Sequence, residues 1–367
     1  MAQDEYMPIR NWDYIEFYVG NAKQAAQYYT TTFGFKPTAY AGLETGVRDR
    51  ASYVLEQGKI RLVFTSALLP DTPIGEHVYK HGDGVKDIAL EVPDAEKAYQ
   101  QALAAGARSA MEPTTSEDTY GRVKRAAIYT YGETIHTFVE RMDYAGVFLP
   151  GFRALQDDTE GRHRGVGLAA IDHVVGNVEL GKMDEWVKFY ENVLGFTQII
   201  HFDDEAISTE YSALMSKVMQ GGHGKIKFPI NEPAQGRRKS QIQEYLDYYG
   251  GPGAQHIALL TGDIVQTVRQ MQAQGVQFQP GLDSYYEELE GRVGKIDENL
   301  DDLRELGILV DRDDDGYLLQ IFTKNVQDRP TVFFEVIQRK GARGFGEGNF
   351  KALFEAIERD QALRGNL

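Results

Sequence analysis

Three residues far apart in the chain, His173, His256 and Glu335, are of the types that hold a redox metal. Each sits in a short apolar run that reads as a strand: AIDHVVGNV around His173, AQHIALL around His256 and TVFFEVIQ around Glu335. Two neutral imidazoles and one carboxylate on one face of a cation leave three adjacent positions open, the ligand set of non-heme Fe(II) oxygenases. A carboxylate between Phe334 and Val336 also needs a partner, because burying it bare is costly. A divalent cation meets that need and so would an Arg or Lys. Residue types alone leave both open.

The elements that must position these residues recur within the chain. From Asp13 to Thr38 a strand (YIEFYVGN) is followed by a helix (AKQAAQYYTTTF) and a turn at Gly34-Phe35. From Asp172 to Gln198 the order returns as HVVGNV, MDEWVKFYENVL and Gly195-Phe196. KDIALEVPDAEKAYQQALAAGA, from Lys86, likewise matches QHIALLTGDIVQTVRQMQAQGV, from Gln255. A third pair sets HTFVERM near Glu140 beside VFFEVIQR near Glu335. Such self-similarity marks a duplication, and each half reads as α+β with two helix-bearing units. The expected boundary is near residue 155, giving domains 1–155 and 156–367. It falls in a Gly-, Asp- and Arg-rich linker between Gly146 and Gly167 that includes His163. In this matching Tyr14 stands where His173 stands, Asp87 where His256 stands, and Glu140 where Glu335 stands. The first half has lost both imidazoles, so a metal is expected only in the second. The first half is left a structural or assembly role.

Composition narrows the rest. A net charge of −16 argues against nucleic acid or an anionic membrane as the main partner, since both attract basic surfaces. The absence of cysteine excludes disulfides, thiolate metal sites and cysteine nucleophiles. The polar start MAQDEYMPIR and the lack of a long apolar run predict a soluble, cytoplasmic protein. Other signals fail on inspection. Asp311 to Gly316 imitates a calcium loop, but Phe322 stands where the twelfth-position Glu belongs, so it reads as a hairpin turn. GGHGK at Gly221 lacks the spacing of a phosphate loop. His77 and His81 have ligand-like spacing in a stretch that reads as a solvated loop. His136, His163, His201 and His223 have no supporting context.

Six long segments then match one family in order: STEYSALMSKVM from Ser208, FPINEPA from Phe228, QIQEYLDYYGGPGAQHIAL from Gln241, YLLQIFTK from Tyr317, FFEVIQR from Phe333 and GFGEGNFKALFEAIE from Gly344. On these the whole chain resembles the 4-hydroxyphenylpyruvate dioxygenases of the vicinal oxygen chelate superfamily. The resemblance implies an α+β fold of two tandem domains, each of paired βαβββ modules. An open β-barrel with helices outside would hold the metal in the C-terminal domain. It implies Fe(II) as cofactor on His173, His256 and Glu335, and no organic cofactor. The reaction implied is oxidative decarboxylation of 4-hydroxyphenylpyruvate by O2, with ring hydroxylation and side-chain migration to homogentisate. Ser216, Asn231, Gln241 and Gln255 would recognise the ring with neutral hydrogen-bonding groups, although Gln255 shares the His256 face only if the strand twists or bulges there. Gln320 would orient the carboxylate or keto acid, Phe322 and Phe350 would flank the ring, and Phe345 would line the pocket. Asn349 would open a C-terminal helix, 349–364, hinged on Gly341, Gly344, Gly346 and Gly348 as a lid. A homodimer or homotetramer joined largely through the first half is also implied. The rival reading is a 4-hydroxymandelate synthase, which uses the same ligands and substrate. A non-catalytic binding module or a catechol-cleaving dioxygenase fits less well.

Overall fold

The structure, a computed structural model, describes residues 6–141, 143–155, 165–202, 213–234, 236–281 and 283–366. The linker core at 156–164, His163 within it, and the first residues of the segment from Ser208 lie outside the described residues. The first half runs β1 (Asn11–Tyr18), α1 (Ala22–Phe33), β2 (Lys36–Ala41), β3 (Arg50–Gln57), β4 (Ile60–Ala67), α2 (Pro73–His81), β5 (Gly84–Glu91), α3 (Ala95–Ala104), β6 (Ser109–Asp118), β7 (Gly121–Tyr129), β8 (Ile135–Glu140) and a short β9 (Arg153–Ala154). The second runs β10 (Leu168–Asn177), α4 (Met183–Leu194), β11 (Thr197–Phe202), β12 (Ala213–Gly221), β13 (Ile226–Ala234), α5 (Gln241–Tyr249), β14 (Gly253–Thr261) and α6 (Ile264–Ala273). It continues through α7 (Asp283–Glu287), α8 (Leu289–Val293), α9 (Leu300–Leu306), β15 (Leu309–Asp313), β16 (Gly316–Phe322), β17 (Phe333–Lys340) and α10 (Glu347–Leu363).

Local signals set these boundaries. Asn21, Asp94, Ser240 and Asp263 each accept a backbone N–H at the start of their helix, and α1 and α4 stop at left-handed Gly34 and Gly195. Among the described residues the strands form two sheets, in the orders β6-β7-β8-β5-β1-β4-β3-β2-β9 and β11-β12-β13-β10-β14-β17-β16-β15. Each sheet joins two βαβββ modules through a central antiparallel pair, β1 with β5 and β10 with β14. The expected duplication is therefore present as two half-barrel sheets with helices outside.

The register corrects one expected correspondence. Tyr14 pairs with Ala89 as His173 pairs with Ala258, which sets Asp87 opposite His256 in the repeat. Ile135 pairs with Asp87 as Phe333 pairs with His256, so the counterpart of Glu335 is Thr137, two residues on, and not Glu140. Glu140 corresponds to Gln338. Both cap a helix, Glu140 accepting from Ala95 N at 3.0 Å and Gln338 from Ile264 N at 2.8 Å. The shared carboxylate misled the sequence matching by three positions. The first half thus keeps none of the three ligands. In their place Tyr14 Oη donates to Asp87 Oδ2 at 3.0 Å, and Thr137 donates to both Asp87 oxygens from its N–H and hydroxyl, at 3.0 and 2.6 Å.

A second correction concerns α2. HVYKH is the end of a helix capped by Thr72, and His77 and His81 are only 3% and 2% exposed, not solvated loop residues. The two halves pack through their helix-bearing outer faces. Phe334, the neighbour of Glu335, meets Phe33, Tyr29 and Phe17 of the first half at ring-centroid distances of 5.1, 5.6 and 6.3 Å. His136 lies between Ile88 O and Tyr190 Oη and so links β8 to α4.

Burial pushes the Asp87 carboxyl up to about 7, opposed by the Thr137 hydrogen bonds and reinforced by the charge of Glu16. An unfolded Asp titrates near ~3.9, so the folded chain retains a proton that the unfolded chain releases between those values. Stability from this group is full below about pH 4 and falls as pH rises toward 7, by at most about 1.4 kcal/mol per unit. Urea midpoints measured from pH 5 to 8 should fall less steeply in Asp87→Asn than in the parent. Equal slopes would count against the assignment.

Candidate metal centre and substrate pocket

His173, His256 and Glu335 stand on β10, β14 and β17, three adjacent strands of the second sheet. All are under 9% exposed. Glu335 Oε2 lies 3.3 Å from Nε2 of His173 and 3.3 Å from Nε2 of His256. One ligand atom from each residue falls within 4.8 Å of the others. Among the described residues no Lys or Arg pairs with Glu335, which removes that alternative.

The other ring nitrogens are held from behind. His173 Nδ1 lies 2.8 Å from Asp172 Oδ2, and Asp172 is clamped by Arg339, Nε to Oδ1 and Nη2 to Oδ2, both at 2.8 Å. His256 Nδ1 lies 3.0 Å from Gln255 Oε1. A carboxylate or amide oxygen only accepts, so each Nδ1 carries a proton and Nε2 is the atom each ring turns toward Glu335, the one that would serve a metal. Strict alternation would send Asp172 and Gln255 to the opposite face. The β10–β14 ladder slips one residue at both places, between Ile171 and His173 and between Ala254 and His256, so both join the ring they precede. The bulge that Gln255 requires is therefore present. Its side-chain oxygen is directed at His256. Asp172 and Arg339 were missed in the sequence, although Asp immediately before the His and Arg four residues after the Glu were in plain view.

Charge favours a cation. Burial pushes Glu335 up, but the two imidazoles outweigh it and hold the carboxyl below its usual range. Burial holds His256 down, and therefore neutral. His173 is raised despite burial, because Glu335 and Asp172 both face it. A carboxylate oxygen and two imidazole Nε2 atoms meeting at one buried point fit a divalent transition metal, which would replace any proton shared among them.

The pocket beside this cluster holds about 560 Å³ of space not filled by atoms, the open solvent at its mouth included. It gathers Ser216, Asn231, Gln241, Gln255, Gln320, Phe322, Phe345 and Phe350 against the three acidic and imidazole groups. Ser216 on β12 faces Asn231 on β13 across the ladder. Gln241 is the first residue of α5. Gln320 is buried with its side-chain oxygen unpartnered. Phe333, not anticipated, stacks on His256 at 4.7 Å and 20°, while Phe345 meets His173 edge-on at 5.0 Å. Asn349 lies outside the pocket lining; it accepts from Tyr285 Oη at 2.6 Å and fixes the start of α10.

The sequence profile of the Glyoxalase/Bleomycin resistance protein/Dioxygenase superfamily matches residues 11–126 and 170–321. The 4-hydroxyphenylpyruvate dioxygenase of Yarrowia lipolytica is 50% identical over 369 residues, covering 98% of this chain and 94% of that protein. The Danio rerio 4-hydroxyphenylpyruvate dioxygenase is 51% identical, covering 97% and 92%. The chain belongs to the 4-hydroxyphenylpyruvate dioxygenase family. Among solved structures, a triple mutant of 4-hydroxymandelate synthase from Streptomyces coelicolor superposes with a TM-score of 0.86 at 36% identity, covering 97% of this chain and all of that one.

In this family member α10 closes one side of the pocket. Phe350, Leu353 and Phe354 face the cavity. The far end is tied to α5, where Arg364 Nη2 and Asn366 Nδ2 donate to Glu244 at 2.7 and 2.8 Å. Gly346 opens α10 at φ 79°, and a Cβ there would run into the Gln320 amide. Removal of residues 344–367 should leave a chain that still folds and retains metal but turns over little; normal turnover would end the lid reading. Asp172→Asn should weaken metal retention roughly 10–100-fold in equilibrium dialysis. Asp13→Asn, which weakens the matching Arg141 clamp and the Arg61 ion pair of the first half, should leave retention unchanged.

Proposed function

We propose that this chain is an Fe(II)-dependent dioxygenase that converts 4-hydroxyphenylpyruvate and O2 to homogentisate and CO2. The observation that carries the reading is two imidazole Nε2 atoms and one carboxylate oxygen meeting inside an aromatic-walled pocket. The near-full-length relatives at 50% and 51% identity are named for this activity. His173, His256 and Glu335 would hold the iron. Bound there, Fe(II) would supply Lewis acidity toward the α-keto acid and redox chemistry with O2.

The chain's own residues do the rest. The Asp172–Arg339 pair and Gln255 fix both imidazoles in the donor tautomer, so the site keeps its geometry when substrate displaces solvent. Gln320, buried with an unpartnered oxygen beside Glu335's strand, orients the keto acid. Ser216 and Asn231, side by side across their ladder, offer a hydroxyl and an amide to the phenol end of the substrate, with Gln241 beside them. Phe322, Phe345 and Phe350 pack the ring and exclude water from a strongly oxidising reaction. Both atoms of O2 end in the product, one in the new carboxylate and one in the ring hydroxyl, while the old carboxylate leaves as CO2.

The mandelate-forming alternative has its support in the structural neighbour at 36% identity, and it differs only in which carbon the pocket presents. Reconstitution with Fe(II) and ascorbate, followed by O2 uptake and product identification, separates the two: homogentisate is expected, 4-hydroxymandelate selects the alternative, and no uptake with iron bound sinks both. His173→Ala or His256→Ala should abolish iron retention, whereas Tyr14→Ala should preserve it. Equal losses in all three would mean that the active half was misassigned.

A further inference from the structure

Among the described residues, two groups of three His and Glu side chains bring ligand atoms within 4.8 Å of one another: the centre above, and His77, His81 and Glu133. The second shares no residue with the first. His77 and His81 lie one turn apart on α2, so both rings project from one face of the helix toward Glu133, in the turn between β7 and β8. Their centroids are 4.6 Å apart. We propose that His77, His81 and Glu133 form a second cation site, selective for a divalent metal of the Zn2+ type, at the seam between the two halves.

Three observations support a ligand here. His81 Nδ1 lies 2.6 Å from Tyr249 O, a carbonyl that only accepts, so that nitrogen carries the proton. Its Nε2, without a hydrogen-bond partner, lies 3.2 Å from Glu133 Oε2. Ligand atoms of a tetrahedral zinc site stand about 3.4 Å apart, given Zn–N and Zn–O lengths near ~2.1 Å. His77 is the stronger sign. It is 3% exposed, and neither of its ring nitrogens has a hydrogen-bond partner. Buried polar side chains are rarely left so. Burial brings its pKa to about 3, so at neutral pH the ring is uncharged and keeps a lone pair for a metal. A modest turn of that ring completes the cluster.

Surrounding charge sets the class of metal. Lys80 Nζ takes Glu133 Oε1 at 2.6 Å, and Lys86 Nζ donates to the Glu133 carbonyl. With the one carboxylate offset by ammonium groups, calcium and magnesium, which depend on several charged oxygens, gain little. A metal that prefers imidazole gains two nitrogens. Position gives the site a consequence. α2 and Glu133 belong to the first half, but Tyr249 ends α5, whose first residue lines the substrate pocket. Arg329 adds a second tie, donating to Lys80 O at 2.7 Å. Metal at the cluster would fix the seam on which α5 rests.

The proposal does not rest on the dioxygenase reading, and its test separates them. The His173→Ala, His256→Ala double variant lacks the first centre. Dialysed against buffered ZnCl2 and counted by mass spectrometry, it should still hold about one zinc per chain. The iron-loaded parent should hold about one zinc beside its iron. Adding His77→Gln or His81→Gln should remove that zinc without removing iron from the parent. Glu133→Gln should weaken it roughly tenfold or more, and because Glu133 is 44% exposed this variant decides the matter if the histidine variants do not fold. A zinc count unchanged by Glu133→Gln and by either histidine substitution, or no zinc in the double variant, overturns the proposal.

Discussion

The structure turns on burying a carboxylate beside two imidazoles in the middle of a sheet. Glu335 cannot sit between Phe334 and Val336 unless something neutralises it, and its partners, His256 and His173, lie 79 and 162 residues away in sequence. β17 meets that demand by alternation. Glu335 faces the pocket while Phe334 faces the first half, locked among Phe17, Tyr29 and Phe33. The first half therefore acts on the centre without touching it. It supplies the apolar wall that keeps β17 from rotating, and a rotation of one residue would exchange Glu335 for a phenylalanine.

The same constraint explains the two bulges. A metal-binding imidazole is defined by what holds its other nitrogen, because that bond chooses the tautomer and fixes the ring. A regular strand offers only residues two away on the same face. Slipping the ladder at Asp172 and at Gln255 brings the preceding residue round to Nδ1 of His173 and of His256. The first half keeps both slips, around Asp13 and Lys86, and keeps the Asp13–Arg141 clamp. The supporting frame is thus common to both halves and does not depend on the ligands being present.

This bears on what a sequence can disclose. The three ligands were legible because their types were wrong for their setting: polar groups in apolar strands. Most of the pocket was legible only through family resemblance, since Ser216 or Phe322 alone looks like any half-polar or core residue. Register was not legible. Glu140 resembles Glu335 by letter alone, whereas the ladders make Thr137 its equivalent in the repeat and give Glu140 the cap of α3. Nor was α2. HVYKH carries too few apolar residues to announce a helix, and its Thr72 cap and Pro at the first turn were the clues that mattered. Short capping signals decide such segments, and periodicity does not.

The two halves then show alternative answers to one electrostatic problem. At equivalent positions the second half places His173, His256 and Glu335, with lone pairs and a charge that call for a cation. The first places Tyr14, Asp87 and Thr137, where two hydroxyls and an N–H donate to one carboxyl. Protons do there what a metal would do in the other half. Three donors on one buried carboxyl satisfy it without an ion, and burial drives its pKa up to about 7, where much of it is neutral near physiological pH. A half-barrel can therefore lose its metal without opening a hole in its core, provided the ligands are replaced together. Replacing one alone would strand a buried charge or an unpaired donor, so the surviving set in each half is internally consistent and mixtures of the two are disfavoured.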